Sequence, residues 1–478
     1  MRRTALFALL CSMLISSAVL LAAASQNVPV HLQAVLPGTN TPRPVVFATN
    51  TPMRDGPTEP PTLPVTPSMT ATPSLTPTPS FTPTETFTLT PSPTPTPIGP
   101  LWYPEGVSPL TGQPYPSEEA FNRRNLIVKI SNYPPIVRPQ SGVNAADVVY
   151  EYEVEGGVTR LAAIYRNNAP THVGPVRSGR LLDIELVPMY QALFAYSGAS
   201  QPVQRIILSQ EWARAVISPS IGDNCVEAGF CRYPGDGLVF EHTLYVNTQM
   251  IWERAERRGI NTGLRARGFA FNDTPDPGGL VANDIFVNWY GRTDARWQWD
   301  PLRQRYVRFT DGLPHFDAAD GEQLWADNLI IIEVPHEERP DLFEEESRSA
   351  SQQINLWDQG RAYLMRDGVY YQGFWRRPCD RRWGDNPPTP TPEGYTVTSP
   401  CGSEPGTALQ VIYGNGTPMM MKPGRTWVMV VRWLGDVALT EARADMPATA
   451  TVLAASFTPT YTMTPGPSHT PEATRVPN

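Results

Sequence analysis

Arginines and acidic residues are concentrated between residues 138 and 180 of this 478-residue chain, at spacings that suit an anion-binding site. The segment ends in Gly174-Pro-Val-Arg-Ser-Gly-Arg180 and runs into residues 180–187, which show helical periodicity, so Ser178 is the predicted N-cap. Free N–H groups at a helix start favour a bound anion, and guanidinium groups match carboxylate or phosphate with two parallel hydrogen bonds. The predicted ligand contacts are Arg138, Ser141, Arg160, Arg177, Ser178 and Arg180, and the predicted supporting acids are Asp147, Glu151 and Asp183.

The same residues have a second interpretation that involves no ligand. The segment is rich in both signs of charge, so the arginines could instead pair with Asp147, Glu151, Glu155 or Asp183 inside the fold. Such arginine–carboxylate networks stabilise proteins without any binding role. The sequence leaves both interpretations open.

Acid–base chemistry is the third possibility. Glu151, Glu153 and Glu155 alternate, so a continuous strand places all three on one face, where they would repel, bind cations or pair with arginines. Glu151 or Glu155 with His242, in Phe240-Glu-His-Thr-Leu-Tyr245, could serve a hydrolase or transferase, although His242 could equally fix a loop. The chain carries no nucleotide-binding, zinc-protease or serine-hydrolase motif, so whether it is an enzyme stays undecided.

The net charge and the cysteines limit which partners, disulfides and metals can be expected. A net charge of −8 argues against nucleic-acid binding, which needs a broad basic surface. Closeness in sequence favours disulfides joining Cys225 to Cys231 and Cys379 to Cys401, although four cysteines allow three pairings. A zinc site is the alternative for these cysteines, but no Cys-x-x-Cys pair occurs and the histidines are scattered, so no metal is predicted. No cofactor is predicted either, since no dinucleotide fingerprint is present.

Composition divides the chain into five regions. Residues 1–25 form a signal peptide or membrane anchor, because a basic start leads into an apolar run and then Ala22-Ala-Ala-Ser25. Residues 26–100 and 445–478 are rich in Thr and Pro and are predicted to be a disordered stalk and tail. The protein is therefore expected outside the cytoplasm, secreted or held on the outer face of the membrane by its N-terminal segment alone. Its expected partner is an envelope component or a small anionic ligand.

The folded part is predicted as an α+β domain at residues 101–275 and a mostly β domain at 276–444, with a boundary near Pro275. Strand-like runs at 126–130, 147–154 and 158–165 suggest a meander, and residues 248–258 suggest a helix stopped by Gly259. Later runs alternate as antiparallel strands, and Asp367-Gly368 predicts a hairpin turn. The expected architecture is a layered β-sheet with helices on one side.

Several ordered motifs together resemble the YerB-like bacterial envelope proteins, a family whose domain has no established function. They are Arg138-Pro-Gln-Ser-Gly142, Ala146-Asp-Val-Val-Tyr-Glu151, Gly174-Pro-Val-Arg-Ser178, Tyr306-Val-Arg-Phe309 and Gly424-Arg-Thr-Trp-Val428. The resemblance implies an exported protein, often a lipoprotein, with two α+β domains. This chain departs from the family in two ways: it lacks a usable lipid-attachment cysteine, and Tyr196 stands where relatives tend to have histidine.

Overall fold

Runs of β-branched, aromatic and aliphatic residues form most of the structure, as their preference for pleated, half-buried surfaces predicts. The computed structural model describes residues 97–235, 237–262, 266–289, 292–344, 348–377 and 409–440. Its strands are β1 (Leu126–Ser131), β2 (Val148–Val154), β3 (Val158–Tyr165), β4 (Leu193–Ala195), β5 (Val216–Ile217), β6 (Phe230–Arg232), β7 (Leu244–Val246), β8 (Ala270–Phe271), β9 (Leu280–Val281), β10 (Asp284–Trp289), β11 (Thr293–Asp300), β12 (Arg305–Thr310), β13 (Leu313–Pro314), β14 (Trp325–Ala326), β15 (Asn328–Glu333), β16 (His336–Glu344), β17 (Ser349–Ile354), β18 (Asp358–Arg366), β19 (Val369–Arg377), β20 (Gln410–Ile412), β21 (Met420–Met421), β22 (Thr426–Val431) and β23 (Val437–Thr440). Its α-helices are α1 (Glu118–Asn122), α2 (Asp183–Tyr190), α3 (Gln201–Leu208), α4 (Cys225–Ala228) and α5 (Thr248–Arg257).

One mixed sheet of eleven strands runs through the described chain, in the order β20-β19-β18-β15-β22-β2-β3-β1-β4-β5, with β9 added to β19. The first half of the chain supplies β1 to β5 and the second half supplies the rest, and the two sets meet where β2 pairs in parallel with β22. Both predicted domains therefore contribute to a single sheet.

Apolar side chains cover both faces of this sheet. One face, here called face 1, packs Tyr150 and Tyr152 of β2 against α2 and α3. The opposite face, face 2, packs Val149 against α5 and against the smaller sheet, whose order is β13-β12-β11-β10-β23 with β14 beside β12. Burial on both faces explains why β2 is buried along its whole length.

The α+β class and the antiparallel C-terminal sheet are confirmed, with two differences in detail. Helices lie on both faces instead of one, because α2 and α3 cover face 1 and α5 covers face 2. The three strands predicted as a meander do lie together, but β3 lies between β2 and β1. The connection from β1 to β2 therefore crosses over β3 instead of turning tightly.

Features that were predicted from a few neighbouring residues are present in the structure. Asp367 and Gly368 both have positive φ, 52° and 77°, and form the two-residue turn between β18 and β19. Helix α5 begins after Asn247, whose side chain accepts two backbone N–H groups, and Gly259 follows it with a φ of 64°. The structure also joins Cys225 to Cys231 by a disulfide.

Other predictions fall on residues whose structure is not described. They are the signal or anchor at 1–25, the stalk up to residue 96, the tail from 445, and the pairing of Cys379 with Cys401. Among the described residues, no helix has the length and apolar character needed to span a membrane.

Candidate functional site

An extended segment, residues 174–180, carries two of the predicted arginines past the ends of parallel strands β1 and β4. The N–H of Arg177 donates to the carbonyl oxygen of Lys129 in β1 at 2.9 Å. The N–H of Ser197 donates to the carbonyl oxygen of Arg177 at 3.0 Å. The N–H of Gly179 donates to the carbonyl oxygen of Gly198 at 2.9 Å. Segment 174–180 is thus held between β1 and the loop that follows β4, which fixes where its side chains lie.

A buried lysine lies on face 1 beside this segment. The Nζ atom of Lys129 is 3.1 Å from Oδ1 of Asp183, and both side chains are fully buried. The hydroxyl of Tyr152 donates to the same Asp183 oxygen at 3.0 Å and also contacts Lys129. Burial lowers the pKa of Lys129 to about 8, although Asp183 opposes the shift. Because this pKa is above 7, Lys129 is mostly charged at neutral pH.

Two predicted arginines lie near Lys129. The guanidinium of Arg180 contacts Glu155, and that of Arg160 donates to the carbonyl oxygen of Ser178 at 3.1 Å. The positive charges of Arg160 and Arg180 both lower the pKa of Lys129, which places the three cations within electrostatic reach of one another. Arg180 is buried, whereas Arg160 is only partly buried and is reachable by solvent.

Arg177 extends the positive charge toward His242. The N–H of Val176 donates to the carbonyl oxygen of Leu244 in β7 at 2.6 Å, which brings the segment against the stretch that contains His242. Burial and the positive charge of Arg177 lower the pKa of His242, and Glu241 partly offsets them. The imidazole is therefore mostly neutral at pH 7. We call Lys129, Arg160, Arg177 and Arg180 the basic cluster.

The predicted N-cap at Ser178 is wrong. Helix α2 begins at Asp183, after Leu182, whose side chain makes no capping hydrogen bond. Residues 180–182 form a turn before the helix, and the Asp183 carboxylate accepts the N–H of Arg180 at 2.7 Å. A carboxylate thus occupies the helix start, so the positive charge of this site comes from side chains and not from α2.

The side chains of Arg138 and Ser141 have partners outside the basic cluster, although the backbone of Ser141 pairs with that of Gly174. The guanidinium of Arg138 donates to Asp311, at the smaller sheet, with an N–O distance of 2.6 Å. The hydroxyl of Ser141 donates to the carbonyl oxygen of His172 at 2.7 Å. Of the four predicted arginines, three gather along segment 174–180 and Arg138 does not.

Asp147 has a backbone partner instead of an arginine. Its carboxylate accepts the N–H groups of Arg166 at 2.6 Å and Asn167 at 2.9 Å, just after β3. Burial raises the pKa of Asp147 to about 6 despite these hydrogen bonds. Asp147 therefore anchors the end of β3 and does not orient the basic cluster.

Glu151 forms an ion pair with Arg308 on face 2. Two hydrogen bonds of 2.7 and 2.8 Å join the guanidinium to the carboxylate, and both side chains are fully buried. The carboxylate also accepts hydrogen bonds from Asn132, Thr159 and Trp427. This enclosure does not favour the predicted acid–base or supporting role for Glu151. It ties β2 of the first half of the chain to β12 of the second.

Lys129 and Arg308 were missed by the sequence reasoning. Lys129 had a usable signal, since it is the one charged residue in the apolar run Leu126-Ile-Val-Lys-Ile130, and a charge in such a run must find a buried partner. Arg308 had none, because its partner is 157 residues away. Within the described ranges, no group of three or more His, Cys, Asp or Glu side chains is placed to hold a metal ion.

The fold and the cluster together define an α+β protein built on one long mixed sheet, with cations gathered at the ends of parallel strands. The chain belongs to the DUF3048 family of proteins of unknown function. The N-terminal domain of that family matches residues 110–261 and its C-terminal domain matches residues 285–384, which together make up more than half of the chain. The family resemblance seen in the motifs is confirmed.

A named relative and a solved structure agree with this assignment. The chain is 25% identical over 274 residues to "Putative lipoprotein YerB" of Bacillus subtilis (strain 168), covering 56% of this chain and 78% of the relative. The crystal structure of YerB protein from Bacillus subtilis superposes with a TM-score of 0.54 at 22% identity, covering 70% of this chain and 99% of that chain. At that identity the likeness establishes the shared fold alone.

Proposed function

We propose that this protein is an envelope-associated binding protein, outside the cytoplasm, that holds an anionic ligand at the basic cluster. The location is supported by the name of the Bacillus subtilis relative, which gives it as a lipoprotein. The apolar run after a basic start and the disulfide between Cys225 and Cys231 fit the same location, since disulfides persist in oxidising compartments.

The observation that carries the proposal is the gathering of Arg160, Arg177 and Arg180 with Lys129 along one extended segment. Asp183 pairs with Lys129 and Glu155 pairs with Arg180, and a bound anion would add negative charge that further offsets repulsion among the four cations. Arg160 and Arg177 are partly exposed, so a ligand can reach them from solvent. Planar guanidinium groups suit carboxylate or phosphate, whose two oxygens accept parallel hydrogen bonds.

The alternative of a hydrolase or transferase has less support. Glu151 is enclosed on face 2 by Arg308, and Glu155 contacts Arg180. The charged groups that shift the pKa of His242 are Arg177 and Glu241, neither of which is the predicted acid partner. Anion binding uses these groups as they are arranged, whereas acid–base catalysis would require a rearrangement.

Titration calorimetry of the full chain with inorganic phosphate tests the proposal. Arg160→Gln and Arg177→Gln are each expected to weaken binding roughly ten- to hundredfold, the usual value of a hydrogen bond to a charged group. Arg303→Gln is the matched control, because Arg303 is an exposed arginine in the turn between β11 and β12 that pairs with Asp300. Equal affinities for all three variants, or no binding by the wild-type chain of any anion tried, would contradict the proposal.

A further inference from the structure

His242 has a buried ring nitrogen that the fold leaves unused. Its side chain is 5% exposed, and its Nδ1 atom has no hydrogen-bond partner among the described residues. The backbone holds the turn, since the N–H of His242 donates to the carbonyl oxygen of Val239 at 2.9 Å. The turn therefore has a backbone hydrogen bond that does not use Nδ1, and Arg177 of the basic cluster lies within electrostatic reach of the ring.

Two more buried polar atoms, close to segment 174–180, also lack a hydrogen-bond partner among the described residues. Glu155 is 6% exposed and contacts Arg180 through Oε2, while its Oε1 atom is buried without a hydrogen-bond partner in the described part of the chain. The buried hydroxyl of Ser200 likewise finds no partner among those residues. Ser200 precedes α3 at the N-cap position, where a serine side chain usually accepts a first-turn N–H, but here it makes no such bond.

Leaving a buried polar atom unsatisfied is costly, so three such atoms around one segment call for a common explanation. The carboxylate oxygen of Glu155 requires a donor. The neutral ring of His242 offers either a donor or an acceptor at Nδ1, and the hydroxyl of Ser200 offers both. A hydroxyl group both donates and accepts, and is therefore one chemical group that satisfies all three atoms.

We infer that the ligand of the basic cluster is a hydroxylated anion, such as a sugar phosphate or a sugar acid, whose hydroxyl groups bind Glu155, Ser200 and His242. This inference rests on the proposed function, because the arginines would hold the anionic group. A bare phosphate satisfies the arginines but has no neutral hydroxylated part, so it would bring its own negative charge against the Glu155 carboxylate. The three polar atoms thus select for the neutral part of the ligand.

The size of the site agrees with this class. Residues 177 to 180 are separated by three residue steps, which span roughly 10 Å at most. At one end, the backbone bond from Val176 to Leu244 brings His242 within electrostatic reach of Arg177, and at the other end Glu155 contacts Arg180. Ser200 follows the loop at Gly198, which is bonded to Gly179 between them. A sugar ring with one phosphate has the length to reach from one end to the other.

Calorimetric titration of the full chain with matched probes tests the inference. The probes are inorganic phosphate, glucose, glucose 6-phosphate, glycerol 3-phosphate and glucuronate. We expect at least one hydroxylated anion to bind about tenfold or more tightly than inorganic phosphate, since a site built around hydroxyl groups discriminates against ligands without them. Glucose, which has no charge, should bind more weakly than every hydroxylated anion.

Two substitutions locate the source of the selectivity. Ser200→Ala and His242→Phe should each lower the ratio of the affinity for the hydroxylated anion to that for phosphate, by about threefold or more. Both remove an unsatisfied polar group, so neither should lower the melting temperature, which confirms folding. Ser209→Ala is the control, because Ser209 follows the other end of α3 and its hydroxyl already donates to the carbonyl oxygen of Ile206 at 2.8 Å.

The outcomes separate this inference from the proposed function. Equal affinity for inorganic phosphate and all three hydroxylated anions would mean that the ligand forms no hydrogen bonds with the three polar atoms. That result would overturn the inference but not the proposed function. A preference that survives unchanged in both variants would also overturn it. If none of the anions binds, the proposed function and the inference are both overturned.

Discussion

Replacing Arg308 with methionine should destabilise the protein severely, because it removes one member of a fully buried ion pair. Glu151 and Arg308 are joined by two hydrogen bonds, and neither is accessible to solvent. In the variant, the Glu151 carboxylate keeps the neutral donors of Asn132, Thr159 and Trp427 but loses the contacting guanidinium. A buried carboxylate without a counter-charge is far less stable than the same group in water.

Breaking a buried pair by removing one partner costs about 3 to 5 kcal/mol, which is a large share of the roughly 5 to 15 kcal/mol that stabilises a typical domain. Replacing both partners by apolar residues of similar size is often neutral. The double variant Glu151→Leu with Arg308→Met should therefore recover part of the stability that Arg308→Met loses, although Asn132, Thr159 and Trp427 then lose their acceptor. This recovery separates loss of the counter-charge from loss of packing.

Urea unfolding followed by tryptophan fluorescence measures these differences. Trp297 and Trp427 lie 5.4 and 4.9 Å from the Arg308 guanidinium, so their emission reports on this part of the structure. Arg361→Met is the control, because Arg361 makes the same kind of contact with Glu333 but is 60% exposed. Its loss should cost no more than about 1 kcal/mol.

Two results would refute this reasoning. One is a loss of stability in Arg308→Met that does not exceed the loss in Arg361→Met. The other is a double variant as unstable as the sum of its two single variants, which would mean that Glu151 and Arg308 contribute independently. Either result would show that the pair is not coupled in the folded protein.

Three further predictions concern pH, a helix cap and the disulfide. Burial holds the pKa of His315 well below its usual value, so the unfolded chain takes up a proton first as pH falls below about 6.5. Between pH 7 and 5.5 the wild type should therefore lose more stability than His315→Gln in urea unfolding, and equal losses in the two proteins would contradict this. Asn247→Ala should cost about 1 kcal/mol by removing the cap of α5, and Asn247→Ser should restore most of it in thermal unfolding by circular dichroism. Cys225→Ser should lower stability by about 2 kcal/mol, and a reducing agent should destabilise the wild type by about that much more than it destabilises the variant, because the predicted disulfide between Cys379 and Cys401 is reduced in both.

The sequence predicted best those features that depend on neighbouring residues. The turn at Asp367 and Gly368 needs two residues that tolerate positive φ, and α5 needs a cap at one end and Gly259 at the other. Ser178 shows the limit of such signals. A serine before an apolar stretch resembles an N-cap, but the turn at residues 180–182 delays the helix to Asp183.

Long-range pairing was beyond reach. Nothing near Val148 indicates that its neighbour in the sheet is Thr426, because strand pairing depends on the assembled core and not on local preference. For the same reason, only part of the candidate site could be predicted from the sequence. Its arginines are close in sequence along segment 174–180, whereas Lys129 joins them only through the position of β1.

The position of β22 has a consequence for synthesis. It is the penultimate strand of the described chain, yet it lies between β2 and β15, near the middle of the large sheet. A chain that emerges from its N-terminus has made β2 long before β22 exists, and until then β2 has a bare edge with unpaired backbone groups. Completion of the sheet must wait for residue 431, so the emerging chain passes through a long interval in which aggregation competes with folding. Truncation before Thr426 removes the strand that joins the two halves of the chain.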